Sequence, residues 1–151
     1  MEMVIVIALL AILAPIAALI IDGGIRAYVS SRTQATSQEQ GRLALERITR
    51  DLRAIRSATS ADLIIAPATQ ITYTDRSGAT VSYTRSGTTL MRNGVPLADN
   101  VSALNFTYIQ RDGKTTASSA TTVYYITTTL GITQAGTTLN VHATVRPRNF
   151  P

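Results

Sequence analysis

His142 is the sole histidine of this sequence, and no cysteine accompanies it. A transition-metal site needs several nitrogen or sulfur ligands converging on one point. The common zinc arrangements, a disulfide framework, c-type haem attachment and a cysteine nucleophile are therefore all excluded. His142 alternates with Val141 and Ala143 in a segment of period two, which predicts a solvated histidine on the outer face of a strand. Asp75, Asp99 and Asp112 fall in apparent turns, where a carboxylate accepts from its own backbone, and they lack the spacing of a calcium loop. Serines and threonines are numerous, yet no G-x-S-x-G, no S-x-x-K and no glycine-rich phosphate loop occurs. These residues call for no cofactor and no metal, and they predict a protein that is not an enzyme. Asn100-Val101-Ser102 and Asn105-Phe106-Thr107 match the N-glycosylation motif, for which chance is the simpler source in so Ser/Thr-rich a chain.

One carboxylate is oddly placed. Glu2 stands at the edge of Met3 to Ile21, 19 residues without a charge. Such a run is long enough to cross a hydrocarbon core of ~30 Å as a helix. No basic region precedes it, and no small-residue cleavage pattern follows it, so it does not read as a secretory signal peptide. A carboxylate in apolar surroundings is costly unless paired. Glu2 either sits at a membrane interface, where a helix N-terminus favours it, or meets a cation from another molecule, since no Lys or Arg precedes Arg26. Pro15 and the pair Gly23-Gly24 are unusual in a simple anchor. Proline removes a backbone donor and clashes with the carbonyl of Ala11, and each glycine costs about 1 kcal/mol relative to alanine in a helix. They predict a non-helical stretch or kink between Ala14 and Gly24 once such helices are bundled.

The elements that carry these residues follow from periodicity. After residues 1–25, an amphipathic helix is expected over 26–60. Leu45, Ile48, Leu52 and Ile55 recur at spacings of three and four, a narrow apolar stripe suited to packing on a sheet. Arg42-Glu46, Glu46-Arg50 and Arg47-Asp51 are i,i+4 pairs away from it. Residues 61–151 change to a period of two, in runs such as Ile71-Tyr73, Val81-Tyr83, Leu104-Phe106-Tyr108 and Leu139-Val141-Ala143-Val145. Ser86-Gly87, Asn93-Gly94 and Asp112-Gly113 punctuate them as turns. The expected fold is α+β: a long helix on one antiparallel sheet of six or seven strands, its other face in solvent.

The net charge is +5, and seven arginines lie between Arg26 and Arg56. The simpler reading is a solvated helix face partly paired with Glu39, Glu46 and Asp51; the alternative is a grip on nucleic acid or another anionic polymer. Lysine is nearly absent and no aromatics interleave with the arginines, which favours the first.

The start of the chain, Met1-Glu2-Met3-Val4-Ile5-Val6-Ile7-Ala8-Leu9-Leu10-Ala11-Ile12-Leu13-Ala14, resembles that of mature type IV pilins and type II secretion pseudopilins. The likeness covers about the first 25 residues. The family carries several residues ahead of the matching Glu, where here only Met1 stands. The block Gly41-Arg42-Leu43-Ala44-Leu45-Glu46-Arg47-Ile48-Thr49-Arg50-Asp51-Leu52-Arg53 is similar to the helix of minor pilins of the mannose-sensitive-haemagglutinin type, as are the segments from Ile71 to Tyr108 and Val145 to Pro151. The resemblance implies a subunit held in the inner membrane and then polymerised with identical subunits into an extracellular filament. It also implies a prepilin peptidase, a motor ATPase and a platform protein as partners. It assigns Glu2 to setting register between subunits, and Pro15, Gly23 and Gly24 to the segment that adapts on assembly. A minor subunit that primes or caps a filament, and a membrane-anchored DNA-binding module, are the alternatives.

Overall fold

The computed structural model describes residues 2–65, 68–134 and 136–150, with the side chains of Glu2, Ile5, Ala8, Leu9, Leu10, Thr33 and Ser37 outside that description. It is α+β, as the periodicities predict. Helix α1 (Glu2–Leu52) takes up the first third of the chain in 51 residues, roughly 75 Å at the usual rise per residue. The interruption expected between Ala14 and Gly24 is absent from the single chain, which stays helical through Pro15, Gly23 and Gly24. One proline forfeits one backbone bond, and the long ladder on either side outweighs that local loss.

Among the described side chains of α1, those of its last turns enter the core. Gly41, Ala44, Ile48 and Leu52 are buried, at spacings of three, four and four. The stripe is therefore displaced from the expected one. Leu45 lies at its edge and is half-buried, and Ala44 takes the central place. Ile55 is fully buried, but it is no longer helical. The helix ends at Leu52, short of residue 60, because the sheet claims the next backbone groups. Arg56 N–H donates to the Thr74 carbonyl at 2.9 Å, Arg76 N–H to Ala54 at 3.0 Å, and Ile55 forms an antiparallel bridge with Asp75.

Among the described residues eight strands follow, in two sheets rather than one. Strands β1 (Leu63–Ile64), β2 (Gln70–Thr74), β3 (Thr80–Ser86), β4 (Thr89–Arg92) and β5 (Val95–Ala98) form an antiparallel meander in sequence order. Strands β6 (Val101–Ile109), β7 (Tyr125–Gln134) and β8 (Thr137–Val145) form a second antiparallel sheet. The split falls at Asn100, whose left-handed φ of 60° turns the chain so that β6 pairs forward with β7. The sheets touch through β6, with Val101 N–H donating to Thr88 at 2.8 Å and Phe106 N–H to Ala68 at 2.7 Å. One continuous core lies between them and α1, with Tyr73, Tyr83, Phe106, Ile71, Leu90, Ile126 and Leu130 among its fully buried side chains. Helix α1 packs mainly on β7 and β8, with a smaller contact at β5.

Candidate assembly surface

Along the exposed part of α1, apolar side chains face solvent on every side. Met3, Val4, Val6, Ile7, Ile12, Leu13, Ile16, Leu19, Ile20, Ile21 and Ile25 are each at least half exposed, and Tyr28 and Val29 extend the surface. Fully burying one such side chain is worth about 1.5–3 kcal/mol, so a run of this length cannot stand in water alone. The helix is long and apolar enough to cross a membrane by length and composition. Asp22 and Arg26, one turn apart at the end of the apolar run, form an ion pair at 2.9 Å.

The residues singled out for assembly all lie on this segment. Glu2 is the first described residue of α1, and its side chain lies outside the described residues. Pro15 is inside the helix. At Gly23 and Gly24 an added Cβ would meet nothing within 4 Å. No packing among the described residues requires these glycines, so their helix cost of about 1 kcal/mol each has no return there.

The far end of α1 is fixed by charge as well as by the core. Asp51 accepts from the Tyr83 hydroxyl at 2.8 Å, from Arg92 Nε at 2.8 Å and from Arg47 Nε at 3.3 Å. Burial acts to raise the Asp51 pKa, but the bonds from Tyr83 and Arg92 and the charges of Arg92 and Arg47 hold it below the usual carboxylate range. Burial, with Asp51 beside it, pushes the Tyr83 phenol well above its ordinary value. A second pair, Arg56 Nε with Asp62 at 3.0 Å, locks the chain just past the helix, and the Arg56 bond followed by that of Ser57 lowers the Asp62 pKa. The C-terminal segment closes the same corner. Asn149 Nδ2 donates to the Ile55 carbonyl at 3.1 Å, and Phe150 is buried. Sequence reasoning recognised the Arg47-Asp51 pair, but nothing local signals that Tyr83 and Arg92 converge on the same carboxylate.

The histidine, Asp112 and the two glycosylation motifs lie apart from this corner, whereas Asp75 borders it through its bridge to Ile55. His142 is exposed on β8, opposite Thr129. Asp75 and Asp112 accept from backbone N–H groups of their own turns, those of Ser77 and Ala79 at 2.8 and 2.9 Å and those of Lys114 and Thr115 at 3.0 and 2.9 Å. Asn100 and Asn105 are both exposed, the first in the turn after β5 and the second on β6. Compared with models of known protein families and with curated proteins, the chain has no match.

Proposed function

We propose that this chain is a structural subunit that polymerises through its N-terminal helix into a type IV pilus-like filament, with the β-rich head on the outside. The observation that carries the reading is a single continuous helix with two incompatible surfaces. Its last turns are buried in the head, while residues 3–29 expose apolar side chains all round. Lipid satisfies that surface before assembly, and a bundle of identical helices satisfies it afterwards. The resemblance of Met1 to Ala14 to pilins and pseudopilins supports the same reading. On it the subunit waits in the inner membrane, is handled by a prepilin peptidase, a motor ATPase and a platform protein, and ends on the cell surface. It has a structural rather than a catalytic role.

Glu2 is the residue for the test. In an apolar bundle an unpaired carboxylate is strongly unfavourable, and the N-terminal amine of a neighbouring subunit is the cation such packing supplies. Glu2→Ala is compared with wild type in cells that build the filament, by membrane fractionation and by electron microscopy of sheared filaments. The expected result is a mutant that reaches the membrane and enters filaments poorly. Normal incorporation removes Glu2 from the assembly mechanism, and a wild-type chain that forms no filament overturns the reading.

A further inference from the structure

A groove of about 620 Å³ runs between the last turns of α1 and strand β8. That volume lies within the range of roughly 300–1,000 Å³ typical of small-molecule sites. Its floor is apolar and half-buried, made by Leu45, Ala54 and Ala143. Arg50, Arg53 and Arg148 line its exposed walls, and among the described residues none of the three has a side-chain hydrogen bond or ion pair. The one carboxylate in the lining, Glu46, is taken by Arg42 at 3.1 Å, so the expected Glu46-Arg50 pair is not formed. Arg76 adds a further guanidinium, bonded to the Asn149 amide oxygen at 2.6 Å. Positive charge here is thus concentrated and uncompensated, which favours an incoming anion.

We propose that this groove binds a nucleotide-sized phosphate monoester, its phosphate on Arg50, Arg53 and Arg148 and its organic body on Leu45, Ala54 and Ala143. Guanidinium groups present paired donors that match phosphate oxygens. The apolar floor selects an ester over the free ion, since inorganic phosphate has nothing to place there. A lipid headgroup fits poorly, because Arg50 stands roughly 40 Å along the helix axis from Asp22, where the apolar run ends. Double-stranded nucleic acid fits less well than a small ester, because its bases are stacked away from an apolar floor.

The full chain in nonionic detergent is titrated calorimetrically with adenosine monophosphate, adenosine, inorganic phosphate and a short DNA duplex, in metal-free buffer. The proposal does not rest on filament formation, and this test needs no filament. Adenosine monophosphate is expected to bind best. Arg50→Gln with Arg148→Gln is expected to weaken it at least about tenfold, because two charge-assisted contacts are lost. Arg32→Gln with Lys114→Gln removes the same total charge away from the groove and is expected to change little. Adenosine monophosphate should also shield Arg50, Arg53 and Arg148 of the wild-type chain from phenylglyoxal. Four results overturn the proposal: no binding at millimolar ligand, equal weakening by both double variants, inorganic phosphate or adenosine binding as tightly as the ester, or binding of the duplex alone.

Discussion

Gly41 of α1 and Ile132 of β7 are in such close approach that a methyl group on the Gly41 Cα would overlap Ile132 Cδ1. This is where the second sheet presses on the helix, and Ile132 is fully buried there. Gly41→Ala gains about 1 kcal/mol of helix propensity, while overpacking a filled core costs about 1–3 kcal/mol. The expected net effect is a loss of about 1 kcal/mol. Ile132→Val deletes the obstructing carbon, so the double variant should be more stable than the sum of the two single changes predicts. Thermal melts of all four chains in detergent check this, and strict additivity would remove the contact from the account.

Leu52 and Leu45 belong to the same predicted stripe but should respond very differently. Leu52 is fully buried, and Leu52→Ala should cost about 2–5 kcal/mol. Leu45 is half-buried at the edge of a groove, and Leu45→Ala should cost well under half as much, because solvent can fill the space it leaves. Denaturant titrations followed by near-ultraviolet dichroism compare the two; equal losses would restore the stripe read from the sequence.

Asp51 should make the head sensitive to acid. Its pKa is lowered in the folded chain from an ordinary value of 3.8. A depressed carboxylate contributes stability that is present above that ordinary value and is lost as pH falls through the folded one. Asp51→Asn should therefore lower stability by about 1.5–3 kcal/mol near neutral pH, the range for hydrogen bonds to a charged group. The gap to wild type should close as pH falls below the ordinary carboxylate value. Melting temperatures measured from neutral pH down to strong acid test the sign, and a gap that widens in acid contradicts it.

Asn93 has two separable jobs. With Gly94 it forms the two-residue turn between β4 and β5, both with positive φ, 50° and 78°. Its side-chain oxygen also accepts from Ser82 N–H at 2.7 Å. Asn93→Gly keeps the backbone freedom and loses the side-chain bonds, that from Ser82 N–H and the longer ones with Ser82 Oγ and the Thr80 carbonyl, both at 3.4 Å, at about 0.5–1.5 kcal/mol. Asn93→Ala should lose more, since alanine resists the left-handed region. Equal losses for the two variants would mean that the turn conformation is not a constraint.

The local patterns of the chain determined a good deal without help from the fold. An apolar run of this length reads as a helix long enough to cross a membrane, where every backbone group bonds within the segment. The switch from a period near 3.6 to a period of two after Ala61 required a helix followed by strands, since side-chain direction is set by backbone geometry. The Asn93-Gly94 turn was legible for the same reason, and so were Ile48 and Leu52 as buried helix residues. Tertiary structure alone decided where the helix stops, because the sheet's backbone competes for Ile55 and Arg56 and no helix-ending residue marks Leu52. It alone rotated the stripe from Leu45 toward Gly41 and Ala44, since a glycine lets a strand approach where a bulkier side chain would hold it off. It alone divided the strands into two sheets, joined Asp51 to Tyr83 and Arg92, and left Arg50, Arg53 and Arg148 together without an acid. Those relations link residues from tens to almost a hundred positions apart, and periodicity, which reports only on neighbours along one element, carries no information about them.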